Sequence, residues 1–158
     1  MSIAPIVKTV EVKASPMRAF EIFTLEMGKW WPHGRTPAKN AHAAIVMEQK
    51  KGGRWFERDA EGNETLWGTV LAWEPPGRLL LGWQLNRKEP GAPWGFDPDL
   101  LTEVELTFQA LDSGGTRVRL EHRDLERYGR DAEANATNIN GGWSMMTGIF
   151  ADYANSHS

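Results

Sequence analysis

The sequence predicts an α+β chain. A curved antiparallel sheet of six to seven strands wraps around one long C-terminal helix, with two short helices after the first strand. Three observations carry this. Residues 44–123 break into short β-branched, aromatic and alternating runs separated by Gly, Pro, Asn and Asp clusters. A Ser-Pro pair opens a helical stripe directly after the first such run. The final stretch, Asp131 to Asn155, carries a helical stripe of its own. At 1.5 Å per residue that helix spans about 35 Å. Six or seven strands spaced by about 4.8 Å make a sheet about 30 Å wide. One long helix therefore matches one sheet, provided the sheet curves around it.

Ile6–Val12 (IVKTVEV) is β-branched and reads as a strand. Ser15 supplies an N-cap, and Pro16 at the first helical position loses no needed hydrogen bond. That helix is expected to run to about Met27, with Met17, Phe20, Phe23 and Met27 on one stripe, and to end at Gly28. Lys29–Gly34 forms a second short helix or turn; adjacent Trp30 and Trp31 cannot share one helix face. Strands follow at Ala44–Gln49, Arg54–Arg58, Glu64–Trp73 and Arg78–Asn86. Glu74-Pro75-Pro76-Gly77 must turn the chain, since proline removes a donor and glycine admits positive φ. Arg87–Pro98 reads as a long loop. Leu101–Leu111 and Thr116–Arg123 alternate cleanly and form an antiparallel pair with one wet face. Their outer residues are expected to pair Glu103 and Glu105 with Arg117 and Arg119. Asp124–Arg130 is a loop. In the last helix, Gly141-Gly142 costs roughly 1 kcal/mol per glycine against alanine. Close approach to a strand, or a kink, is the expected reason.

Composition narrows the function. The 158 residues carry a net charge of −3, which offers no electrostatic footprint for nucleic acid or an anionic membrane. Cysteine is absent, so disulfides, thiolate metal sites and cysteine nucleophiles are excluded, and a cytoplasmic location fits. The N-terminus lacks the apolar core of a signal peptide, and no run of 18 apolar residues could span a membrane. His33, His42, His122 and His157 match no metal-ligand spacing, and no phosphate-loop, dinucleotide or nucleophile-elbow motif is present. No metal or cofactor is expected.

The motifs SPMRAFEIFT, GGRWFE, WGTVLAWEPPGRLLLGW, LTEVELTF, GGTRVRLEH and the GGW of the last helix, taken in this order, resemble the START/Bet v 1-like (SRPBCC) superfamily. Within it the chain is similar to the branch of activator-of-Hsp90-ATPase homologues. The resemblance covers about residues 6–155. It implies a helix-grip fold occupying 1–158 as a single domain, and a cavity between sheet and last helix that often holds a small apolar or amphipathic molecule. It also implies Val70 and Ala72 facing inward. Trp73, and Trp67 with it, would then lie on the convex face, where Trp73 is a candidate homodimer contact.

Eight tryptophans in so short a chain raise the question of whether they fill a core or line a hole. Burying one removes roughly 150–250 Å², about 4–6 kcal/mol gross. Bulky indoles around a curved sheet seldom pack without gaps, which favours a partly hollow interior. The expected ligand-binding residues are Trp30, Trp31, Trp55, Glu57, Trp83, Phe108, His122, Trp143 and Met146. Phe20, Trp30, Trp31 and the Trp94–Phe96 loop would form or gate the mouth. The leading expectation is a non-enzymatic protein that binds a small hydrophobic or aromatic molecule. A second is a protein-interaction module of the Hsp90 co-chaperone kind, with a chaperone as partner. A third is a cyclase- or hydrolase-like enzyme using Glu57 and His122, inward-facing by strand parity, as a general-base pair.

Overall fold

The computed structural model describes residues 2–89 and 91–158. Its first elements are β1 (Ile6–Val12), α1 (Pro16–Thr24) and α2 (Met27–Trp30). Then come β2 (His42–Met47), β3 (Arg54–Asp59), β4 (Glu64–Glu74) and β5 (Arg78–Trp83). Short strands β6 (Leu85–Asn86) and β7 (Gly95–Phe96) precede β8 (Thr102–Ala110) and β9 (Thr116–Arg123). A 3-10 helix at Leu125–Asp131 leads into α3 (Ala132–Ser156). Seven strands form one antiparallel sheet in the order β1-β9-β8-β5-β4-β3-β2, and β6 pairs with β7. The sheet curves around α3.

Local chemistry explains the joins. The Ser15 hydroxyl accepts from the Arg18 backbone N–H at 3.3 Å, capping α1 with Pro16 just inside. The first helix stops at Thr24, and Met27 opens α2 instead of closing α1. The stripe is correspondingly shorter: Phe20, Phe23 and Met27 are buried, while Met17 is exposed. The strand expected over Arg78–Asn86 breaks at Gln84. Its tail pairs Leu85 with Phe96 and Asn86 with Gly95, so the expected long loop contains a small hairpin. The expected Asp124–Arg130 loop winds into the 3-10 helix.

The main departure lies in β4. Its pairing with β3 skips from Trp55↔Gly68 to Phe56↔Leu66, which leaves Trp67 as an extra residue. Its pairing with β5 skips from Val70↔Leu81 to Ala72↔Leu80, which leaves Leu71 unpaired. Each bulge reverses the side-chain parity beyond it. Trp67 is therefore buried at 1% exposure, and Trp73 is half-buried against Phe20, ring centroids 5.0 Å apart. Both face the core, not the convex surface, and Trp73 is not the exposed dimer contact expected of it. Val70 does face inward, whereas Ala72 pairs with the outward Leu80. Gly68 sits in the first bulge because a Cβ there would lie 1.8 Å from the Gly82 carbonyl oxygen.

The outer face of β8 and β9 also differs from expectation. The hairpin register sets Glu103 opposite Arg123, and Arg119 opposite Thr107. Arg123 pairs with Glu103 at 2.9 Å and Glu105 at 2.8 Å. Arg117 reaches across to Glu11 on β1 at 2.9 Å, and Arg119 to Glu121 at 3.1 Å. Antiparallel pairing counts outward from the turn, so the last residue of one strand meets the first of the other.

The interior divides along α3. At the C-terminal half of that helix, Phe20, Phe23, Trp30, Phe108 and Phe150 form a filled aromatic cluster with centroid separations of 5.2–6.4 Å. At the N-terminal half the space between helix and sheet is open.

Candidate functional site: an indole-walled cavity

That open space is a cavity of about 570 Å³, within the range usual for small-molecule sites. Four parts of the chain wall it. The segment after α2 gives Trp31 and the Gly34–Pro37 loop, and the sheet gives Trp67, Trp83 and Leu85. The β6–β7 connection gives Pro93 and Trp94, and α3 gives Thr137–Ile139, Gly141–Trp143, Met145 and Met146.

Five indoles form a closed circuit here. Ring centroids run Trp31–Trp67 5.1 Å, Trp67–Trp55 5.3 Å, Trp55–Trp83 6.1 Å, Trp83–Trp143 5.7 Å and Trp143–Trp31 6.0 Å. Edge-to-face aromatic pairs contribute about 0.5–1.5 kcal/mol each beyond area burial. Four of the five lie on the wall. Trp55 is fully buried behind Trp67 and Trp83, and its N–H has no partner among the described residues.

The other four N–H groups are anchored, which fixes the rings. The Trp31 N–H donates to the Arg35 carbonyl at 2.9 Å. The Trp83 N–H donates to the Tyr128 hydroxyl at 2.9 Å, which donates on to the Leu85 carbonyl at 2.7 Å. Burial holds the Tyr128 phenol above its ordinary pKa, so it remains a donor. The Trp67 N–H donates to Glu57 Oε2 at 2.6 Å, and the Thr36 hydroxyl donates to Glu57 Oε1 at 2.8 Å. Glu57 is 1% exposed, and these two neutral donors take one carboxylate oxygen each.

His122 closes the set. The Trp143 N–H donates to His122 Nδ1 at 3.0 Å, and His122 Nε2 lies 2.7 Å from the Thr102 hydroxyl. An indole N–H only donates, so Nδ1 is the unprotonated nitrogen and Nε2 carries the proton toward Thr102. The Thr102 hydroxyl faces the Trp83 carbonyl at 3.4 Å. Burial lowers the His122 pKa to about 3, and the imidazole stays neutral.

Of the residues marked in the sequence, Trp31, Trp83, Trp143 and Met146 lie on the cavity wall. Trp55, Glu57 and His122 sit behind it as supports. Trp30 donates to the Ile22 carbonyl and packs on Phe23 and Phe150; Phe108 packs on Phe20. Both belong to the filled cluster. Phe20, expected at the mouth, is buried at 2% exposure in that cluster. Glu57 and His122 do not form the expected pair: among the described residues each is bonded to other partners. The one unprotonated nitrogen of His122 is engaged by the Trp143 N–H.

Sequence reasoning missed Trp67, Thr36, Tyr128 and the glycine pair. An added Cβ at Gly141 or Gly142 meets nothing within 4 Å, and both residues line the cavity. The expected close contact with a strand is absent there; the space beside both glycines is open. A signal for Trp67 did exist in its neighbour, since glycine inside a strand marks a bulge or a close approach.

Comparison with known proteins agrees with this architecture. The chain is 36% identical to an anthrahydroquino-gamma-pyrone synthase of known structure, covering 88% of each chain with a TM-score of 0.58. It is 30% identical to CalC, a self-sacrificing resistance protein from Micromonospora echinospora, covering 98% of this chain and 96% of that one with a TM-score of 0.74. The Aha1 dimer from Colwellia psychrerythraea, 16% identical over 97% of each chain with a TM-score of 0.65, shares the fold. No curated protein matches. The fold is the helix-grip fold of the SRPBCC superfamily. Residues 13–155 match the family described as Activator of Hsp90 ATPase homolog 1-like protein, and the chain belongs to that family.

Proposed function

We propose that this protein binds a planar aromatic small molecule in the cavity between the sheet and α3. One observation carries the reading: five tryptophans on the wall, four of them on the closed circuit with their N–H groups hydrogen-bonded, around about 570 Å³ of space. Indole faces and edges suit an aromatic guest at centroid separations of about 4.5–7 Å. Rings already held by hydrogen bonds lose little freedom when a ligand arrives. The synthase that is 36% identical has a name describing a fused aromatic product, which supports the same ligand class.

The test is a panel of two- to four-ring aromatic compounds. Binding should quench the intrinsic tryptophan emission. At a hundredfold excess over Kd, binding stabilises by about 2.7 kcal/mol, which raises Tm by roughly 5–10 °C for a chain of this size. A panel that neither quenches emission nor moves Tm sinks the reading.

The relationship to a synthase also favours a second reading, in which the cavity holds a substrate while it reacts. Glu57 is then the group to replace. Under this reading Glu57→Gln abolishes turnover of a found substrate and leaves Tm near wild type. Unchanged turnover removes Glu57 from the chemistry.

A further inference from the structure

We infer that the ligand is an anion: an aromatic body that enters the cavity, with a carboxylate or comparable acidic group left at the mouth against Arg35 and Arg87. This rests on the aromatic-cavity reading above and specifies the ligand class.

The inference begins with the distribution of charge. Among the described residues, every arginine but two lies within salt-bridge distance of a carboxylate: Arg18, Arg54, Arg58, Arg78, Arg117, Arg119, Arg123, Arg127 and Arg130. The exceptions are Arg35, which lines the cavity, and Arg87, which packs on the wall residue Trp94 from outside it. Among the described residues, Arg35 is the only charged one on the cavity wall. Arg87 stands over the Trp94 ring, 4.9 Å from the centroid, and Trp94 is itself on the wall. A net-negative protein thus has two guanidiniums outside salt-bridge distance of any described carboxylate, one on the cavity wall and one against a wall tryptophan.

Arg87 is also built into position. Its Nε donates to Asn135 Oδ1 at 2.8 Å, and Asn135 is 1% exposed. The Asn138 amide oxygen, in the orientation that satisfies both groups, accepts from Arg87 Nη1 at 2.9 Å and from Nη2. Three of its five N–H donors are used in this way, and one remains on each Nη. The nearby Asp97 carboxylate accepts from the Asn86 amide at 3.0 Å and the Asp99 backbone N–H at 3.0 Å and makes no salt bridge with Arg87. A guanidinium held by neutral amides over an indole keeps its full charge for an incoming anion.

Glu57 sets the direction. Its two carboxyl oxygens, behind Thr36 and Trp67, already accept from both, so that part of the wall presents no added donor to an anion. The apolar body goes in first.

Two probes of the same shape test this with the full chain: anthracene-2-carboxylate and neutral anthracene-2-carboxamide, titrated by tryptophan quenching. The carboxylate should bind at least about tenfold more tightly, the scale of a hydrogen bond to a charged group. Arg35→Gln and Arg87→Gln should each remove much of that advantage, lowering carboxylate affinity by several-fold more than carboxamide affinity. Added salt should weaken only the carboxylate. Equal affinity for the two probes, or arginine variants that bind both as wild type does, overturns the inference while leaving the aromatic-cavity reading in place. Failure of both probes to bind overturns that reading as well. Should Arg87→Gln lose its fold with the Asn135 contact, Arg35→Gln decides alone, because that side chain is exposed.

Discussion

His122 shows how one buried side chain ties three elements together. It receives the Trp143 N–H from α3, meets Thr102 on β8 and, through that hydroxyl, reaches the β5 carbonyl of Trp83. Its folded-state pKa of about 3 lies below the ordinary value of 6.5. Between those values the unfolded chain binds one proton more than the folded one. Stability therefore falls as pH drops through that window, by up to about 1.4 kcal/mol per pH unit from this group, and the loss levels off below pH 3. Denaturant unfolding of wild type and His122→Asn at pH 6.5, 6.0, 5.5 and 5.0 checks it. The wild-type curve should fall more steeply by that slope; parallel curves would contradict it. Gly68 is a residue-scale constraint of another kind. A Cβ 1.8 Å from the Gly82 oxygen forces β4 and β5 apart. Gly68→Ala should cost on the order of 3 kcal/mol or more, measured as a shift in unfolding midpoint.

At the scale of elements, α3 carries a natural experiment. Gly141, Gly142 and Gly148 all have open space where a Cβ would stand, but only the first two line the cavity. Each change to alanine should stabilise the helix by up to about 1 kcal/mol. Gly141→Ala and Gly142→Ala should also weaken binding of a large aromatic ligand, and Gly148→Ala should not. Equal effects of all three on binding would show that the glycine pair has no part in shaping the site. The elements also mark what was legible in the sequence. Alternation, the Ser15-Pro16 start and the turn residues placed every long strand and the last helix within a few residues, because those signals are local. The bulges at Trp67 and Leu71 were not legible, because they depend on which strand pairs on either side. Each unread bulge put one tryptophan on the wrong face, Trp67 at the first and Trp73 beyond the second. Trp83, Trp143 and Met146 were legible as interior by periodicity, whereas Trp31 was expected at the mouth. The separation of wall from support, Trp83 against His122 or Trp31 against Glu57, was not, since both kinds point inward and differ only in depth. Arg35 and Arg87 gave no sign in sequence, where an arginine without a counter-ion looks like any other.

Across the whole molecule, one end of the helix groove is filled and the other hollow. The filled end holds Phe23 and Phe150, at 1% and 0% exposure. Nearby, Glu26 accepts from Arg18 and from the Tyr153 hydroxyl at 3.1 Å, tying the first helix to the last. Stability and binding should separate accordingly. Phe150→Ala should cost about 3–5 kcal/mol. Trp94→Ala, at the half-buried mouth, should cost under about 1 kcal/mol and still lower ligand affinity. Chemical denaturation set beside quenching titrations measures both, and a Trp94→Ala variant that binds at wild-type strength would break the division. The circuit of five indoles has an optical consequence. Rings 5–6 Å apart exchange electronic excitation far faster than they emit. Light absorbed by any one of them is shared around the loop, so the five behave as a single antenna. A single guest with a lower-lying excited state would drain them all, and the protein would darken in proportion to occupancy with no dye attached.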